Sequence, residues 1–258
     1  MSLLFHEMVF GPVKSRRLGV SLGINLLPSS YKYCSFDCIY CECGWGRRSH
    51  KDNEALPSRE AVIAALESRL AELSASRHFP DAITFAGNGE PTIHPGFARI
   101  IEDTRRLRDQ YMPETAIGVL SNASMLHKPE VMDALRSIEL NMLKLDAGTE
   151  ETFRRINQPP SRLTLEILLD QMKQMEGNLI IQSIFLRGEY QEKRIDNTSD
   201  AEVEAWIRCV KEVNPQYAMI YSIDRSTPVD TLEKVGFDEL LGIAARAEAQ
   251  GVRVKVYG

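Results

Sequence analysis

The chain has 258 residues, of which 43% are hydrophobic and 26% are charged, a composition typical of a globular protein with a substantial core. It contains no apolar run long enough to span a membrane, so we expect no membrane partner. The formal net charge of -5 gives no support for general nucleic-acid binding. Because no low-complexity or Pro/Gly-rich linker divides the sequence, we expect one domain over residues 1–258.

Hydrophobic periods of a strand and of a helix alternate along the chain and predict about six β-strand–α-helix units. Strands are predicted at residues 17–27, 82–86, 116–120, 140–146, 179–186, 217–223 and 252–257, and helices begin near residues 58, 97, 129, 165, 199 and 238. Ser58 is expected to cap the first helix, and Ser199 with Glu202 to form a capping box on the fifth, in which Cys209 should be buried and inert. Such units form an α/β fold with a mostly parallel sheet, and periodicity alone does not choose between a barrel and a doubly wound sheet.

Four of the five cysteines lie in residues 33–44, which read Tyr-Cys-Ser-Phe-Asp-Cys-Ile-Tyr-Cys-Glu-Cys-Gly. The first ten residues contain no signal-peptide pattern, so we expect a reducing cytoplasm, where clustered thiols bind metal rather than form disulfides. Structural zinc usually takes two Cys-x-x-Cys pairs, and no second pair is present. Cys34, Cys38 and Cys41 suit an iron–sulfur cluster with one open iron, whereas a zinc-binding module or an electron-transfer protein remains an alternative.

The spacing of these three cysteines, with Tyr40 directly before the last, resembles the signature of the radical S-adenosylmethionine (SAM) superfamily. The resemblance implies a partial (β/α)6 barrel with the cluster loop, residues 28–48, after the first strand. It also implies that the three cysteines hold a [4Fe-4S] cluster and that SAM binds the open iron. Reduction would then cleave SAM to a 5'-deoxyadenosyl radical, which abstracts hydrogen from a substrate. Cys43 departs from the pattern and is interpreted as a bystander near the cluster, although it could be a fourth ligand in a zinc module or an electron carrier.

The segment after the second predicted strand, Gly-Asn-Gly-Glu at residues 87–90, resembles the superfamily's Gly-Gly-Glu motif. In the family that motif holds the methionine amino group of SAM. Asn88 stands where the second glycine often does, while Gly87, Gly89 and Glu90 keep a similar loop.

Polar residues also follow the next strands: Ser121 and Asn122 suit the ribose or carboxylate of SAM, and Asp146 could do likewise or contact a substrate. These residue types also begin turns and helix caps. The candidate SAM-binding residues are therefore Tyr40, Gly87, Gly89, Glu90, Ser121, Asn122, Asp146 and Gln182. The candidate substrate-binding residues are Arg187, Tyr221, Asp224 and Arg225, although the last two could instead pair with each other.

Segments outside the cysteine loop resemble uncharacterised iron–sulfur oxidoreductases related to the tRNA wyosine synthase. These segments are residues 10–19, 145–147, 195–198 and 224–225. An RNA base-modifying reaction is thus an alternative function. That synthase holds a second cluster on cysteines upstream of the first, and no cysteine precedes Cys34 here. Its pyruvate-binding lysine has no match either, so the substrate is left unassigned.

The expected partners follow from this chemistry: SAM, an electron donor such as flavodoxin or ferredoxin, and a substrate. Two arginine pairs, Arg16-Arg17 and Arg47-Arg48, flank the cysteine loop. Such pairs usually form a solvated face, but near the loop they could contact an anionic substrate.

Overall fold

A computed structural model describes residues 3–46 and 54–258. Within these ranges the strands are β1 (Val9–Ser15), β2 (Gly19–Ile24), β3 (Ala82–Phe85), β4 (Ala116–Ser121), β5 (Leu140–Lys144), β6 (Ile180–Tyr190), β7 (Lys193–Asp196), β8 (Ala218–Ser222), β9 (Leu232–Lys234) and β10 (Val254–Val256). The helices are α1 (Arg59–Ala75), α2 (Phe97–Tyr111), α3 (Pro129–Arg136), α4 (Glu150–Asn157), α5 (Leu165–Lys173), α6 (Asp200–Val213) and α7 (Phe237–Ala249), with a short 3₁₀ turn at Pro91–Ile93.

The parallel strands occur in the sheet in the same order as along the chain: β2, β3, β4, β5, β6, β8 and β10. Every crossover therefore advances in one direction, and the right-handed rule places the connecting helices on one face. Contacts between successive helices, such as α1 with α2 and α5 with α6, agree with this layer. A doubly wound sheet needs a point where the strand order reverses, and the described strands have none. The predicted α/β fold with a mostly parallel sheet is confirmed, and the sheet is open, with β1 and β10 at its edges.

The first helix forms as its sequence predicts. Ser58 Oγ accepts a hydrogen bond from Ala61 N at 3.2 Å, which satisfies one of the free amides at the start of α1. The apolar stripe is buried against the sheet and consists of Val62, Leu66, Leu70 and Leu73. Cys209 on α6 is buried as expected, and none of the described helices is long and apolar enough to cross a membrane.

The face of the sheet opposite the helices carries a small apolar cluster under a polar layer. The apolar cluster consists of Met142, Ile180 and Met219. Because strand side chains alternate between faces, the residues two positions further along β5, β6 and β8 share this face. Those residues are Lys144, Gln182 and Tyr221. The apolar cluster thus forms a floor, and the polar layer lies above it toward the carboxyl ends of the strands.

The predicted capping box at the start of α6 is wrong. Ser199 makes no side-chain hydrogen bond to its helix. Glu202 instead accepts from Gly148 N at 2.6 Å and from Thr149 N at 3.1 Å, in the loop that precedes α4. A tertiary contact with several donors competes successfully with the local one.

Three features have no counterpart in the sequence predictions. β1 pairs antiparallel with β2, and α4 follows β5 directly. β6 continues well beyond the predicted strand and forms an antiparallel ribbon with β7 and β9. These segments are short or largely polar, so their hydrophobic period is weak and pairing with a neighbour determines their structure.

Candidate functional site

One cavity at the carboxyl ends of the parallel strands collects residues from the cysteine loop and from four successive strands. It is lined by Lys32, Cys34, Phe36, Cys38, Tyr40, Cys41, Cys43, Gly87, Gly89, Glu90, Leu120, Ser121, Asn122, Met142, Lys144 and Gln182. Its volume is about 150 Å³, about ten times what one water molecule needs. A wider groove at residues 216–217 and 248–255 contains none of the predicted site residues.

The cysteine loop is attached to the glycine-containing loop after β3 by backbone hydrogen bonds. Tyr33 N donates to Asn88 O at 2.7 Å, and Glu90 N donates to Tyr33 O at 3.1 Å. Gly89 has a φ of +142°, and a Cβ atom there would lie 1.9 Å from Tyr33 O. Glycine is therefore required where the two loops meet. On its other side the loop is attached to α4, because Ile39 N donates to Ile156 O at 3.0 Å.

Asn88, the departure from the Gly-Gly-Glu pattern, is fully buried and points away from the cavity. Its Oδ1 accepts from Phe5 N at 2.8 Å, and its Nδ2 donates to Phe5 O and to Pro28 O. The backbone N–H of Asn88 donates in turn to Asn25 Oδ1 at 3.2 Å. The asparagine therefore holds the N-terminal segment and the start of the cysteine loop in place. Its neighbours Gly87, Gly89 and Glu90 line the cavity instead.

Glu90 lines the cavity and is only 2% exposed. Its carboxylate accepts from Ser121 Oγ at 2.8 Å and from Asn122 N at 2.6 Å, and also from the backbone and hydroxyl of Thr92. Among the described residues no Lys, Arg or His side chain forms an ion pair with it, and burial raises its pKa. A buried carboxylate without a positive partner provides a favourable site for a bound ammonium group.

Amide groups from the cysteine loop, from the end of β4 and from the end of α4 donate to the cysteine sulfurs. Cys34 Sγ accepts from Phe36 N at 3.4 Å and from Asn122 Nδ2 at 3.5 Å. Cys38 Sγ accepts from Asn157 Nδ2 at 3.5 Å. Burial raises the pKa of both thiols, so a positively charged metal centre would be needed to keep them as thiolates. Hydrogen bonds to the ligand sulfurs are one of the factors that determine the reduction potential of an iron–sulfur cluster.

A buried lysine lies beside the three cysteines. Lys32 Nζ donates to Gly44 O at 3.1 Å and lies 3.2 Å from Asp37 Oδ1. Burial alone would lower its pKa, but the nearby thiolate charges, that of Cys41 first, outweigh burial and raise it. A hydrogen bond from the Cys43 thiol, opposed by burial and aided by Lys32, lowers the pKa of Cys41 to about 6.

Tyr40 links the cysteine loop to β5 through a buried network. Its hydroxyl donates to Asp146 Oδ2 and accepts from Lys144 Nζ at 2.6 Å. The same Asp146 oxygen accepts from Asn157 Nδ2 at 2.6 Å, and the other accepts from Ile184 N at 3.0 Å. Burial alone would lower the pKa of Lys144, but the negative charges around it, that of Asp146 first and then those of Tyr221, Cys38 and Cys41, together outweigh burial and raise the pKa. Asp146 does not line the cavity; it orients two side chains that do.

Two of the candidate substrate residues lie beside or beyond the cavity wall. Tyr221 lies directly behind it, and its hydroxyl accepts from Gln182 Nε2 at 2.8 Å. Arg187 lies on the extended part of β6, where it donates to Thr198 Oγ1 at 2.6 Å and to Glu239. It does not line the cavity.

The other two candidates make separate ion pairs, so the idea that they pair with each other is wrong. Asp224 lies 3.4 Å from Arg16 Nη2 and 3.8 Å from Lys234 Nζ. Arg225 Nη1 donates to Glu42 Oε2 at 2.8 Å. Because Glu42 separates the last two cysteines of the loop, Arg225 ties that loop to the segment after β8.

The arginine pair before β2 bridges the open edges of the sheet. Arg16 Nη1 donates to Gly258 O at 2.9 Å. The guanidinium of Arg17 lies over the ring of Tyr221, 4.4 Å from its centroid. The second pair, at residues 47–48, lies outside the described residues together with that end of the predicted cluster loop.

The cavity includes residues that the sequence predictions missed as site residues, above all Lys32, Cys43 and Lys144. Cys43 Sγ lines the cavity and donates to Gly87 O at 3.4 Å, so it links the cysteine loop to the loop after β3. Lys144 could have been noticed, because it lies near the end of the strand predicted at residues 140–146, two residues before Asp146.

The donor set fits an iron–sulfur cluster. Three thiols face one cavity next to a buried carboxylate, and amide donors hold two of the sulfurs. Within residues 3–46 and 54–258, no three His, Cys, Asp or Glu side chains surround a common point as ligands of a single ion.

Comparison with known proteins agrees with this geometry. The chain is 32% identical over 213 residues to UPF0026 protein MJ1312 of Methanocaldococcus jannaschii, covering 81% of this chain and 61% of that protein. It is 30% identical over 237 residues to a UPF0026 protein of Helicobacter pylori strain J99, covering 91% of this chain and 71% of that protein. The chain thus spans about two thirds of the length of these relatives.

Solved structures show the same fold at low identity. A structure of TYW1 with a lysine-pyruvate adduct bound has a TM-score of 0.61 at 17% identity, covering 89% of this chain and 73% of that one. Streptococcus suis SuiB bound to S-adenosylmethionine has a TM-score of 0.62 at 12% identity, covering 88% and 49%. The radical SAM superfamily, whose enzymes generally use SAM and an iron–sulfur cluster, matches residues 29–201. This chain therefore belongs to the radical SAM superfamily.

Proposed function

We propose that this chain is a radical SAM enzyme that holds a [4Fe-4S] cluster on Cys34, Cys38 and Cys41 and reductively cleaves SAM. When bound, the reduced cluster supplies the electron for this cleavage, and the resulting 5'-deoxyadenosyl radical abstracts hydrogen from a substrate. The observation that carries the proposal is the single cavity shared by the three thiols and the Gly87–Glu90 loop. The proposal rests on these residues, because a shared fold does not by itself imply a function.

The roles of individual residues follow from their positions. We assign the amino group of SAM to Glu90, because this buried carboxylate has no cationic partner among the described residues. Gly87 and Gly89 let the backbone that lines the proposed SAM cavity pack against Asn25 and Tyr33, since a Cβ atom would lie 2.4 Å from Asn25 Oδ1 at the first and 1.9 Å from Tyr33 O at the second. Ser121 and Asn122 present polar groups beside the same carboxylate.

Of the remaining candidates, we place only Tyr40 and Gln182 where SAM and the substrate would meet. Tyr40 and Gln182 line the cavity, and Asp146 orients Tyr40. Tyr221 supports Gln182 from behind. We assign indirect roles to the other three candidate substrate residues, Arg187, Asp224 and Arg225.

The wider context is part of the same proposal. One large buried core, whose members come from strands and helices along almost the whole described chain, supports a single domain over residues 1–258 with its cluster loop at residues 28–48. An electron donor such as flavodoxin or ferredoxin would reduce the cluster, and the thiols would remain reduced in the cytoplasm. RNA base modification is a second candidate, supported by the fold shared with TYW1 and opposed by the net charge of -5.

Anaerobic reconstitution tests the proposal. The wild-type chain should bind about four iron and four sulfide per chain and release 5'-deoxyadenosine from SAM after reduction by dithionite. Alanine at Cys34, Cys38 or Cys41 should abolish both properties. Cys209→Ala is the matched control and should keep both, because this buried thiol lies on α6, outside the cavity.

The alternatives give different results in the same experiment. A zinc module would bind one zinc, stay colourless and leave SAM intact. An electron carrier would bind iron and sulfide but would not cleave SAM, and it would lose its cluster on Cys43→Ala if that residue were a fourth ligand. Either pattern would overturn the proposal.

A further inference from the structure

Two polar side chains form a pair on the cavity wall, and the proposed SAM chemistry does not use their full bonding capacity. Lys144 on β5 and Gln182 on β6 are register partners in neighbouring parallel strands. Both line the cavity. Neighbouring strands lie about 4.8 Å apart, so the ends of the two side chains reach the same small volume.

Lys144 has donor capacity left toward the cavity. An ammonium group carries three N–H donors, and one of them is directed to Tyr40 Oη at 2.6 Å. The Asp146 carboxylate lies 3.6 Å away, close enough for charge attraction but beyond a normal hydrogen bond. The lysine side chain is 19% exposed, so the charge is largely buried but can be reached from the cavity.

Gln182 has an unpaired oxygen beside this charge. The residue is only 7% exposed, and its Nε2 donates to Tyr221 Oη. Its Oε1 has no hydrogen-bond partner among the described residues. A buried unpaired acceptor favours any ligand that brings it a donor. Below the pair lies the apolar floor, so only the cavity side can supply that donor.

We infer that Lys144 and Gln182 form a substrate subsite for a carboxylate that carries a hydroxyl or amino group on the neighbouring carbon. The carboxylate binds Lys144 Nζ, and the adjacent O–H or N–H donates to Gln182 Oε1. This inference rests on the proposed function, which places the amino group of SAM at Glu90 after β3. Because β3 is two strands from β5, about 10 Å away, the Lys144–Gln182 pair is left for the substrate.

Three small probes test the two contacts separately. Glycolate offers both groups, acetate lacks the hydroxyl, and glycolamide lacks the charge. Their dissociation constants are measured by ligand-detected NMR titration of the anaerobically reconstituted full chain, with and without saturating SAM. Glycolate should bind about 2- to 10-fold more tightly than acetate, the range of one net hydrogen bond. It should bind about 10-fold or more tightly than glycolamide, because a charged partner contributes more.

Variants at Gln182 leave the Lys144–Asp146 pair intact. Gln182→Leu should remove the preference for glycolate over acetate. Gln182→Glu places a negative charge beside Lys144 and should weaken both acids more than glycolamide. Gln171→Leu, on α5 and outside the cavity, is the matched control and should keep the wild-type order. Iron content and thermal unfolding are compared for all variants. The order of the three dissociation constants in the wild type tests the inference even if a variant fails to fold.

Equal binding of the three probes to the wild type, or an unchanged preference in Gln182→Leu, would overturn the inference. Competition between glycolate and SAM would also overturn it, since the pair would then belong to SAM. If the wild type fails to bind SAM but keeps the probe order, the two contacts are supported while the proposed function is refuted.

Discussion

Replacement of Glu90 by glutamine separates the binding of SAM from the stability of the fold. The glutamine oxygen can keep the hydrogen bonds from Ser121 Oγ and Thr92, but its amide would face the Asn122 N–H, now 2.6 Å from a carboxylate oxygen. Loss of that acceptor costs about 1–3 kcal/mol. Removal of a buried negative charge offsets part of this cost, so the free energy of unfolding should change by less than that amount.

The effect on SAM should be larger. A hydrogen bond to a charged partner contributes about 1.5–3 kcal/mol, which corresponds to roughly 10- to 150-fold in affinity. We therefore expect Glu90→Gln to assemble its cluster and to bind SAM 10- to 150-fold more weakly. Binding is measured by anaerobic equilibrium dialysis after iron and sulfide analysis. A variant with a full cluster that binds SAM within twofold of the wild type would refute the assigned role.

Glu202→Gln is the matched control. This carboxylate is also buried and accepts from Gly148 N and Thr149 N, but it lies outside the cavity. The variant should lose stability and keep its affinity for SAM. Equal loss of SAM affinity in both variants would show that loosening of the fold, rather than a missing contact, explains the result.

The pH dependence of stability gives an independent check on Glu90. Burial raises its pKa above the usual 4.5, so its ionisation opposes folding when no cation is bound. The stabilising contribution of the protonated Glu90 carboxyl is fully present below pH 4.5. It is lost as pH rises through the raised pKa. The free energy of unfolding of the wild type, relative to Glu90→Gln, should therefore fall with rising pH in that window. A difference independent of pH would contradict the raised pKa.

Two further predictions concern the fold around the site. Gly89→Ala should destabilise the chain by about 1–3 kcal/mol from backbone strain alone and should prevent cluster assembly, because the new Cβ would meet Tyr33 O at 1.9 Å. Gly251→Ala, which also has a positive φ but no atom within 4 Å, should keep its cluster; comparable cluster loss in both variants, measured by iron analysis, would contradict the contact. Ser58→Ala should lower the free energy of unfolding in urea by about 1 kcal/mol, since Ala61 N loses its acceptor; no change would show that water replaces the cap.

Much of the fold and of the site follows from local patterns. The apolar stripe of α1 and its Ser58 cap are correct, because helix period and capping act within a few residues. The three cysteines share a loop because their spacing allows nothing else. The Gly87–Glu90 loop meets that loop because both follow neighbouring parallel strands.

Other parts were missed because their partners are distant in sequence. Glu202 accepts from Thr149 N, 53 residues earlier in the chain, instead of capping its own helix. Asp146 serves Tyr40, 106 residues before it, rather than the cavity directly. Local pattern carries no information about such pairs, since they exist only once the sheet has formed.

The amino-acid sequence by itself determined the group of thiols, the glutamate loop, the parallel α/β order and the edge of the sheet where the candidate residues collect. These features depend on short spacings and on hydrophobic period. Only the tertiary structure decided that Lys144 and Gln182 face the cavity together, with Tyr221 directly behind them. Which side chains of β5, β6 and β8 become neighbours depends on strand register, and register is fixed by packing across the whole sheet.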